Sequence, residues 1–361
     1  MTLPFDLRRN PSPRTAADRA AILADPGFGL NFTDHMAVAT WSRADGWYDS
    51  GIVPYGPFTL DPASAVLHYA QEIFEGLKAY RHADGSVWLF RPEANAARFA
   101  RSAERLALPQ LSTEDFLGSI EALIAADVEW VPTAPEQSLY LRPFMFANEV
   151  FLGVRPAQKV TYCCIASPAG AYFSSGVHPV KIWLSTTYAR AAPGGTGAAK
   201  CGGNYAASLV AQQEAAANGC EQVMFADAAE HKWLEELGGM NVYLINTDNE
   251  LVTPQLNGSI LEGVTRDSIL TLAGEHGLTP VERRISIEEL LDGLRAGSIT
   301  EVFACGTAAV VTPIGSLRTP DTEVTVGSGE GGETTAAIRA ALLDIQYGRS
   351  EDTHGWLRRV V

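Results

Sequence analysis

Strand-like and helix-like segments follow one another along this chain without strict alternation, and that order limits the folds open to it. Runs at 36–41, 86–90, 139–147, 159–166, 180–185, 221–226, 241–246 and 301–311 are rich in Val, Ile, Phe and Tyr and bounded by Gly, Pro or Asp, as strands are. Helix signals fall between only some of them. Asp61-Pro62 offers an N-cap followed by proline at the first helical position. Ser286 with Glu289 three residues on has the spacing of a capping box. Asn204 precedes an Ala-rich run, 205–218, that Gly219 stops. Further helices are expected at 92–106, 113–128, 263–273 and 334–345. A doubly wound parallel sheet needs a crossover helix between successive strands, and this order does not supply one. The expected class is α/β in the broad sense, nearer α+β, with mixed sheets and flanking helices in two domains.

A length of 361 residues agrees with two domains, at about 150 residues each. The small, polar, turn-rich stretch 170–176 lies between two strand runs and reads as the junction. The expected division is a small N-terminal α/β domain over 1–169, an interdomain linker loop over 170–179 and a larger C-terminal domain over 180–361. The first 27 residues hold Pro, Arg and Asp but no apolar run of signal-peptide length, and read as a loose arm with one short helix.

Charge and cysteine usage narrow the partners. Lys+Arg is 27 and Asp+Glu is 42, a formal net charge of −15. Such a chain repels polyanions, so neither nucleic acid nor an anionic membrane is an expected partner, although one local pocket can still hold a phosphate. No stretch approaches the roughly 18 apolar residues of a membrane span. The longest candidate, 302–314, is broken by Gly306, Thr307, Thr312 and Pro313. Cysteines at 163, 164, 201, 220 and 305 form neither a CxxC pair nor a zinc spacing, so no metal is expected, and a reducing, cytoplasmic setting is.

Two segments carry candidate chemistry. In 193–205, Lys200 stands among Gly, Ala and Cys with no other charge nearby. In a partly dry site an amine loses part of its preference for the ammonium form and becomes a usable nucleophile for a Schiff base. A solvated loop lysine is the other reading of the same residues. A phosphate loop is not one, because Ala199 and Cys201 stand where that motif needs Gly and Ser or Thr. In 232–241, Glu235 reads as part of a solvated face. Glu236 leads into a buried-looking strand, and a buried carboxylate needs a cationic partner. A pyridinium nitrogen is one such partner.

The words KCGGNY (200–205) and ELGGMN (236–241) closely resemble the two signature segments of the branched-chain amino acid aminotransferases, which are fold-type-IV pyridoxal phosphate enzymes. The resemblance covers nearly the whole chain, through FTDHM (32–36), QEIFEGLKAY (71–80), FRP (90–92), LYLRP (139–143), GVTR (263–266), GTA (306–308) and DIQYG (344–348). The general lysine and glutamate are shared with D-amino acid aminotransferases and aminodeoxychorismate lyases, which remain alternatives, as does a cofactor-binding protein without turnover. KCGGNY, FEGLKAY and DIQYG are the more specific words.

The resemblance implies a role for each matching position. Lys200 would carry pyridoxal 5'-phosphate and shuttle the proton between Cα and C4′. Glu236 would pair with the ring nitrogen, and Tyr205 with the 3-oxygen. Arg98, the Val264 and Thr265 amides and Thr307 would hold the phosphate. Arg98 by itself reads as one of four arginines, with Arg91, Arg101 and Arg105, on a solvated helix face. The substrate α-carboxylate would meet the turn at Gly306, Thr307 and Ala308. Phe28, Tyr69, Phe74, Tyr140 and Tyr172 would line the side-chain pocket, with Val154 arriving from the partner of a homodimer. Arg142 and Tyr140 would receive the distal carboxylate of glutamate or 2-oxoglutarate. The implied activity is transfer of the amino group between leucine, isoleucine or valine and 2-oxoglutarate, in branched-chain amino acid biosynthesis or breakdown. The chain departs from the vertebrate members in two places. Gly239 replaces a threonine, and Ala309 and Thr312 replace the cysteines of a CxxC redox pair.

Overall fold

The structure is a computed structural model and describes residues 2–170 and 178–361. Tyr172 and most of the expected linker lie outside the described residues. The chain packs as two compact units. The first comprises Met1–Ser174, Ala199–Gly202 and Asp344–Val361, and the second Ser175–Ala198 and Gly203–Leu343. Among the described residues, no helix is long and apolar enough to cross a membrane.

The first unit is built on an antiparallel sheet. Its order is Leu357–Arg359, Val87–Phe90, Leu77–Arg81, Ser138–Ala147, Lys159–Ala169, His35–Ser42 and Gly46–Pro54, with the short strand Glu72–Phe74 also paired to Ser138–Ala147. Helices Pro92–Arg105 and Thr113–Ala126 bury Phe99, Phe116, Ile120 and Leu123 in the same core as Leu89, Leu139, Leu141 and Tyr162. Phe99 stands edge-on to Tyr162 at 5.9 Å between ring centroids. The first helix begins with Pro92, whose missing N–H costs nothing in a first turn. The second is capped by Ser112, which accepts from the Asp115 amide at 3.0 Å.

The N-terminal arm is not loose. The Leu3 amide donates to Asp115 Oδ1 at 2.7 Å, the Arg8 amide to Ile52 O at 2.8 Å and the Asn10 amide to His35 Nε2 at 3.0 Å. Leu7 forms a parallel bridge with Ile52. The arm therefore satisfies the open edge of strand Gly46–Pro54, a strand whose polar, half-exposed residues the apolar patterning does not reveal.

The second unit is built on a mixed sheet. Its order is Leu234–Leu237, Gln222–Ala226, Val180–Ser185, Val310–Arg318, Ile299–Gly306, Asn241–Asn246, Glu250–Pro254 and Thr279–Arg283, with Glu323–Thr325 on Val310–Arg318. Val180–Ser185 is parallel to both neighbours, and Glu250–Pro254 is parallel to Thr279–Arg283. Tyr243 and Phe303 stack across adjacent strands at 5.2 Å. The α/β class with mixed sheets and flanking helices is the class found.

Three local expectations are corrected. The apolar run 301–311 is not one strand but the two arms of a hairpin, Ile299–Gly306 and Val310–Arg318, closed by Gly306 opposite Val310. Both arms are buried, so the apolar pattern runs through the turn without a break. The run after Asn204 is two helices, Gly202–Ala206 and Leu209–Ala217. Asn204 lies inside the first, with its side chain bonded to Thr196 rather than to a helix end. Asp61 does not cap a helix. It accepts from the Ala63 amide at 2.8 Å in a turn, and helix Ala65–Tyr69 starts after Ser64. The Ser286 cap is as expected, with Ser286 Oγ accepting from the Glu289 amide at 3.0 Å ahead of Ile287–Ala296.

One buried ion pair ties the first unit's helix to its sheet. Arg98 donates from Nε to Glu75 Oε1 at 2.7 Å and from a terminal nitrogen to Oε2 at 2.9 Å, and Asn95 Nδ2 adds 2.8 Å to Oε2. Glu75 is wholly buried and Arg98 4% exposed, so Arg98 does not lie on a solvated face. Burial pushes the Glu75 carboxyl up, but the charge and hydrogen bonds of Arg98, with Lys200 and Asn95, outweigh it and hold it below its ordinary 4.5. A carboxyl held low in the folded state stabilises the protein above the unfolded value, and that stabilisation is lost as pH falls through the folded value. Removing one partner of a buried pair costs about 3–5 kcal/mol. Glu75→Gln should lower the unfolding free energy by about that much at pH 7, measured by urea denaturation. The gap between variant and parent should close in acid below pH 4.5.

Candidate active site

In the first unit, Lys200 is half-buried on a loop held from two elements. Its amide donates to Ser102 Oγ at 2.9 Å, and its carbonyl accepts from the Phe74 amide at 2.9 Å. The Gly202 amide donates to Glu72 Oε1. Asn95, Arg98 and Ser102 recur at helical spacing on the buried face of Pro92–Arg105, so one polar stripe serves both Glu75 and the lysine loop. That stripe is a sequence signal, a polar face where an apolar one is expected. Lys200 Nζ lies 4.8 Å from the centre of the Phe74 ring.

The same ring is 4.8 Å from the Arg142 guanidinium carbon. Arg142 donates to the Tyr140 hydroxyl at 3.0 Å, and Phe28 stands edge-on to Tyr140 at 5.1 Å. Arg142 Nε is buried and has no hydrogen-bond partner among the described residues. Phe28, Phe74, Tyr140, Arg142 and Lys200 are thus together. The Tyr69 hydroxyl donates to Leu152 O. Val154, in the same loop as Leu152, is 89% exposed.

In the second unit, Glu236 is buried on strand Leu234–Leu237. Arg190 donates to Glu236 Oε1, the Leu261 amide reaches the same oxygen at 2.9 Å, and Asn241 Nδ2 reaches Oε2 at 3.2 Å. Arg190 is itself buried and also donates to Gly197 O and Ser259 O, each at 3.2 Å. The cation that a buried Glu236 requires is therefore supplied by the chain. Sequence reasoning missed Arg190, because nothing in its neighbourhood distinguishes it from a surface arginine. Glu235 is not on a solvated face. It is buried and accepts from Ser259 Oγ and from Asn257 Nδ2.

Tyr205, Gly239, Gly263 and Gly306 converge on this acid's surroundings. A β-carbon at Gly239 would sit 3.5 Å from the Tyr205 ring, and one at Gly306 would sit 3.5 Å from Met240 Cγ. Gly263 packs so closely on Asn241 Oδ1 that no β-carbon fits. Asn241 thereby joins Glu236 to the start of helix Val264–Leu272, where the first-turn amides of Val264 and Thr265 lie at the positive end of the helix dipole. Thr307 and Ala308 lie in the hairpin turn that ends at Val310, a β-branched residue held at φ 60°. Such a conformation costs of order 1–3 kcal/mol and persists only where the surroundings impose it. All five cysteines are buried, and burial pushes the Cys305 thiol up to about 12, so the thiols pack rather than react.

Within the second unit, a buried acid with fixed hydrogen bonds close to the start of a helix is an arrangement that suits an aromatic cofactor with a phosphate. The family model described as amino-transferase class IV matches residues 72–317. The chain belongs to the class IV aminotransferases. It is therefore a pyridoxal phosphate-dependent transaminase of fold type IV. It is 56% identical over 359 residues to a probable branched-chain-amino-acid aminotransferase of Streptomyces coelicolor, covering 99% of each chain. It is 54% identical to the branched-chain-amino-acid aminotransferase of Mycolicibacterium smegmatis over 99% of this chain and 98% of that one. Among solved structures, the branched-chain amino acid aminotransferase of Escherichia coli superposes with a TM-score of 0.75 at 30% identity, covering 90% of this chain and all of the other. The branched-chain aminotransferase of the thermophilic archaeon Thermoproteus uzoniensis, solved with norvaline, superposes at 0.74 with 26% identity, covering 91% of this chain and all of the other.

Proposed function

We propose that this aminotransferase moves the amino group between leucine, isoleucine or valine and 2-oxoglutarate. The observation that carries the reading is Arg142 Nε, a buried donor with no partner among the described residues, at the edge of an aromatic wall of Phe28, Phe74 and Tyr140. Rings accept an aliphatic side chain, and a planar guanidinium accepts a second carboxylate. One pocket with both features can take leucine and glutamate in turn. The names of similar relatives support the branched-chain amino acids.

Each site residue has a part in that transfer. Bound pyridoxal phosphate supplies an electron sink for charge developing at the substrate Cα. Lys200 would hold the cofactor and would supply the amine that carries a proton between Cα and C4′. Ser102 and Phe74 hold the backbone of that lysine from both sides. Glu236 would hold the ring nitrogen, its carboxylate being positioned by Arg190 and the Leu261 amide. Tyr205 would hold the 3-oxygen. Arg98, oriented by Glu75, would bind the phosphate, as would the Val264 and Thr265 amides and Thr307. The Thr307 and Ala308 turn would receive the α-carboxylate. Tyr140 aligns Arg142 through its hydroxyl. Reduction of the holoprotein with borohydride and peptide mapping should place the label on Lys200; a label on another lysine would overturn this assignment.

A charge-assisted bidentate contact in a partly dry site is worth about 2–4 kcal/mol. Arg142→Gln should therefore weaken glutamate and 2-oxoglutarate by roughly thirty- to a thousandfold, since about 1.4 kcal/mol is tenfold. Leucine and its 2-oxo acid should lose far less. Single-turnover half-reactions separate the two; equal losses would make Arg142 structural or a ligand of the shared α-carboxylate.

We further propose a cytoplasmic homodimer in which Val154 enters the partner's pocket. Val150, Leu152 and Val154 are exposed on one loop of the first unit, which Tyr69 joins through Leu152 and Ser64 through Val150. Exposed apolar side chains gathered in this way mark an interface. Sedimentation at assay concentration should give a dimer, and a fully active monomer would refute the arrangement.

A further inference from the structure

Glu72 has a position that the cofactor and substrate roles above do not use. It opens the short strand Glu72–Phe74, opposite Phe146, and Phe74 lies opposite Phe144. Residues two apart on a strand share a face, so Glu72 and Phe74 lie on one side of the sheet. On the neighbouring strand, Tyr140, Arg142, Phe144 and Phe146 share a face by the same rule. Phe74 faces the guanidinium of Arg142. Glu72 is the half-buried acid beside this group. It accepts the Gly202 amide, and its carboxylate and Gly202 pack so closely that a β-carbon on residue 202 would run into it. Its carboxylate also feels the charge of Arg142.

We propose that Glu72 is a specificity-determining residue: anchored by the Gly202 amide, its charge opposes a second carboxylate brought to Arg142 and so weights the pocket toward apolar side chains. The proposal rests on the assignment of Arg142 to the distal carboxylate. Leucine brings no charge to that place and leaves the electrostatics of Glu72 and Arg142 undisturbed. Glutamate or 2-oxoglutarate brings an anion that gains Arg142 but meets Glu72, and like charges set close together in a partly dry site are costly. Burial works in the same sense. It pushes the Glu72 carboxyl above its ordinary value, against the Gly202 hydrogen bond and the Arg142 charge, so the carboxylate is poorly solvated and its field is little screened.

The test uses the holoenzyme in its aminated form, with single-turnover reactions of 2-oxoglutarate and of the 2-oxo acid of leucine. Glu72→Gln keeps an oxygen for the Gly202 amide and removes the charge. The ratio of kcat/KM for 2-oxoglutarate to that for the leucine oxo acid should rise about tenfold, with the change carried by KM. Glu72→Asp retains the charge and should keep the parent ratio within about threefold. Arg142→Gln is measured beside them. An unchanged ratio in Glu72→Gln, with Arg142→Gln still selective, overturns the role of Glu72 and leaves the reading of Arg142 standing. A shift in Glu72→Asp as large as in Glu72→Gln means that displacement of the loop, not charge, is responsible, and also overturns it. Equal losses for both substrates in Arg142→Gln remove the Arg142 assignment, and the proposal falls with it.

Discussion

Glu75 lies wholly out of water, and the first unit is arranged to answer its charge. A carboxylate in that position is tolerable only with a cation and enough donors around it. Arg98 supplies the cation and Asn95 a further donor, both from one face of helix Pro92–Arg105. The stripe that answers Glu75 continues to Ser102, which holds the Lys200 amide. Strand Glu72–Phe74, which leads into Glu75, holds the same loop through the Phe74 amide and the Glu72 carboxylate. The requirement to satisfy one buried acid thus fixes the backbone of the lysine. The gain is chiefly geometric, since buried pairs contribute little net stability while their disruption is expensive.

The second unit solves a related problem with two acids in sequence. Glu235 and Glu236 are neighbours on strand Leu234–Leu237, where the pairing with Gln222–Ala226 is irregular, and both are buried. Residues 257–261 answer both, with Asn257 and Ser259 on Glu235 and the Leu261 amide on Glu236. Arg190 adds the charge for Glu236 and at the same time binds Gly197 O and Ser259 O. Glu236 is therefore held by three partners from separate parts of the unit, so its carboxylate is preorganised.

Asn241 extends that arrangement. It bonds Glu236 and Leu261 O with one amide group and packs its oxygen on Gly263, at the start of helix Val264–Leu272. The hairpin turn at Thr307 and Ala308 is held just as firmly, with Val310 kept in a left-handed conformation that a β-branched side chain resists. Elements from four parts of the second unit's sequence are brought together in this way, and their spacing along the chain says nothing of their closeness.

The class of fold is legible in the residues alone, because strand and helix periodicities are local and the absence of regular alternation excludes a doubly wound sheet. So is the family, since KCGGNY and ELGGMN are contiguous words. Sequence reasoning misjudged features whose meaning depends on what lies across the fold. The hairpin at 307–309 was hidden because both of its arms are buried and apolar. The N-terminal arm looked loose because its partner, the edge at Ile52, is more than forty residues away. Arg98 and Glu235 looked solvated, and Arg190 went unnoticed, because a charged residue's burial is decided by its partner and not by its neighbours. Only the tertiary structure decided which acid met which base. Matching a buried charge is a long-range condition, satisfied by chain segments that the local pattern cannot pair.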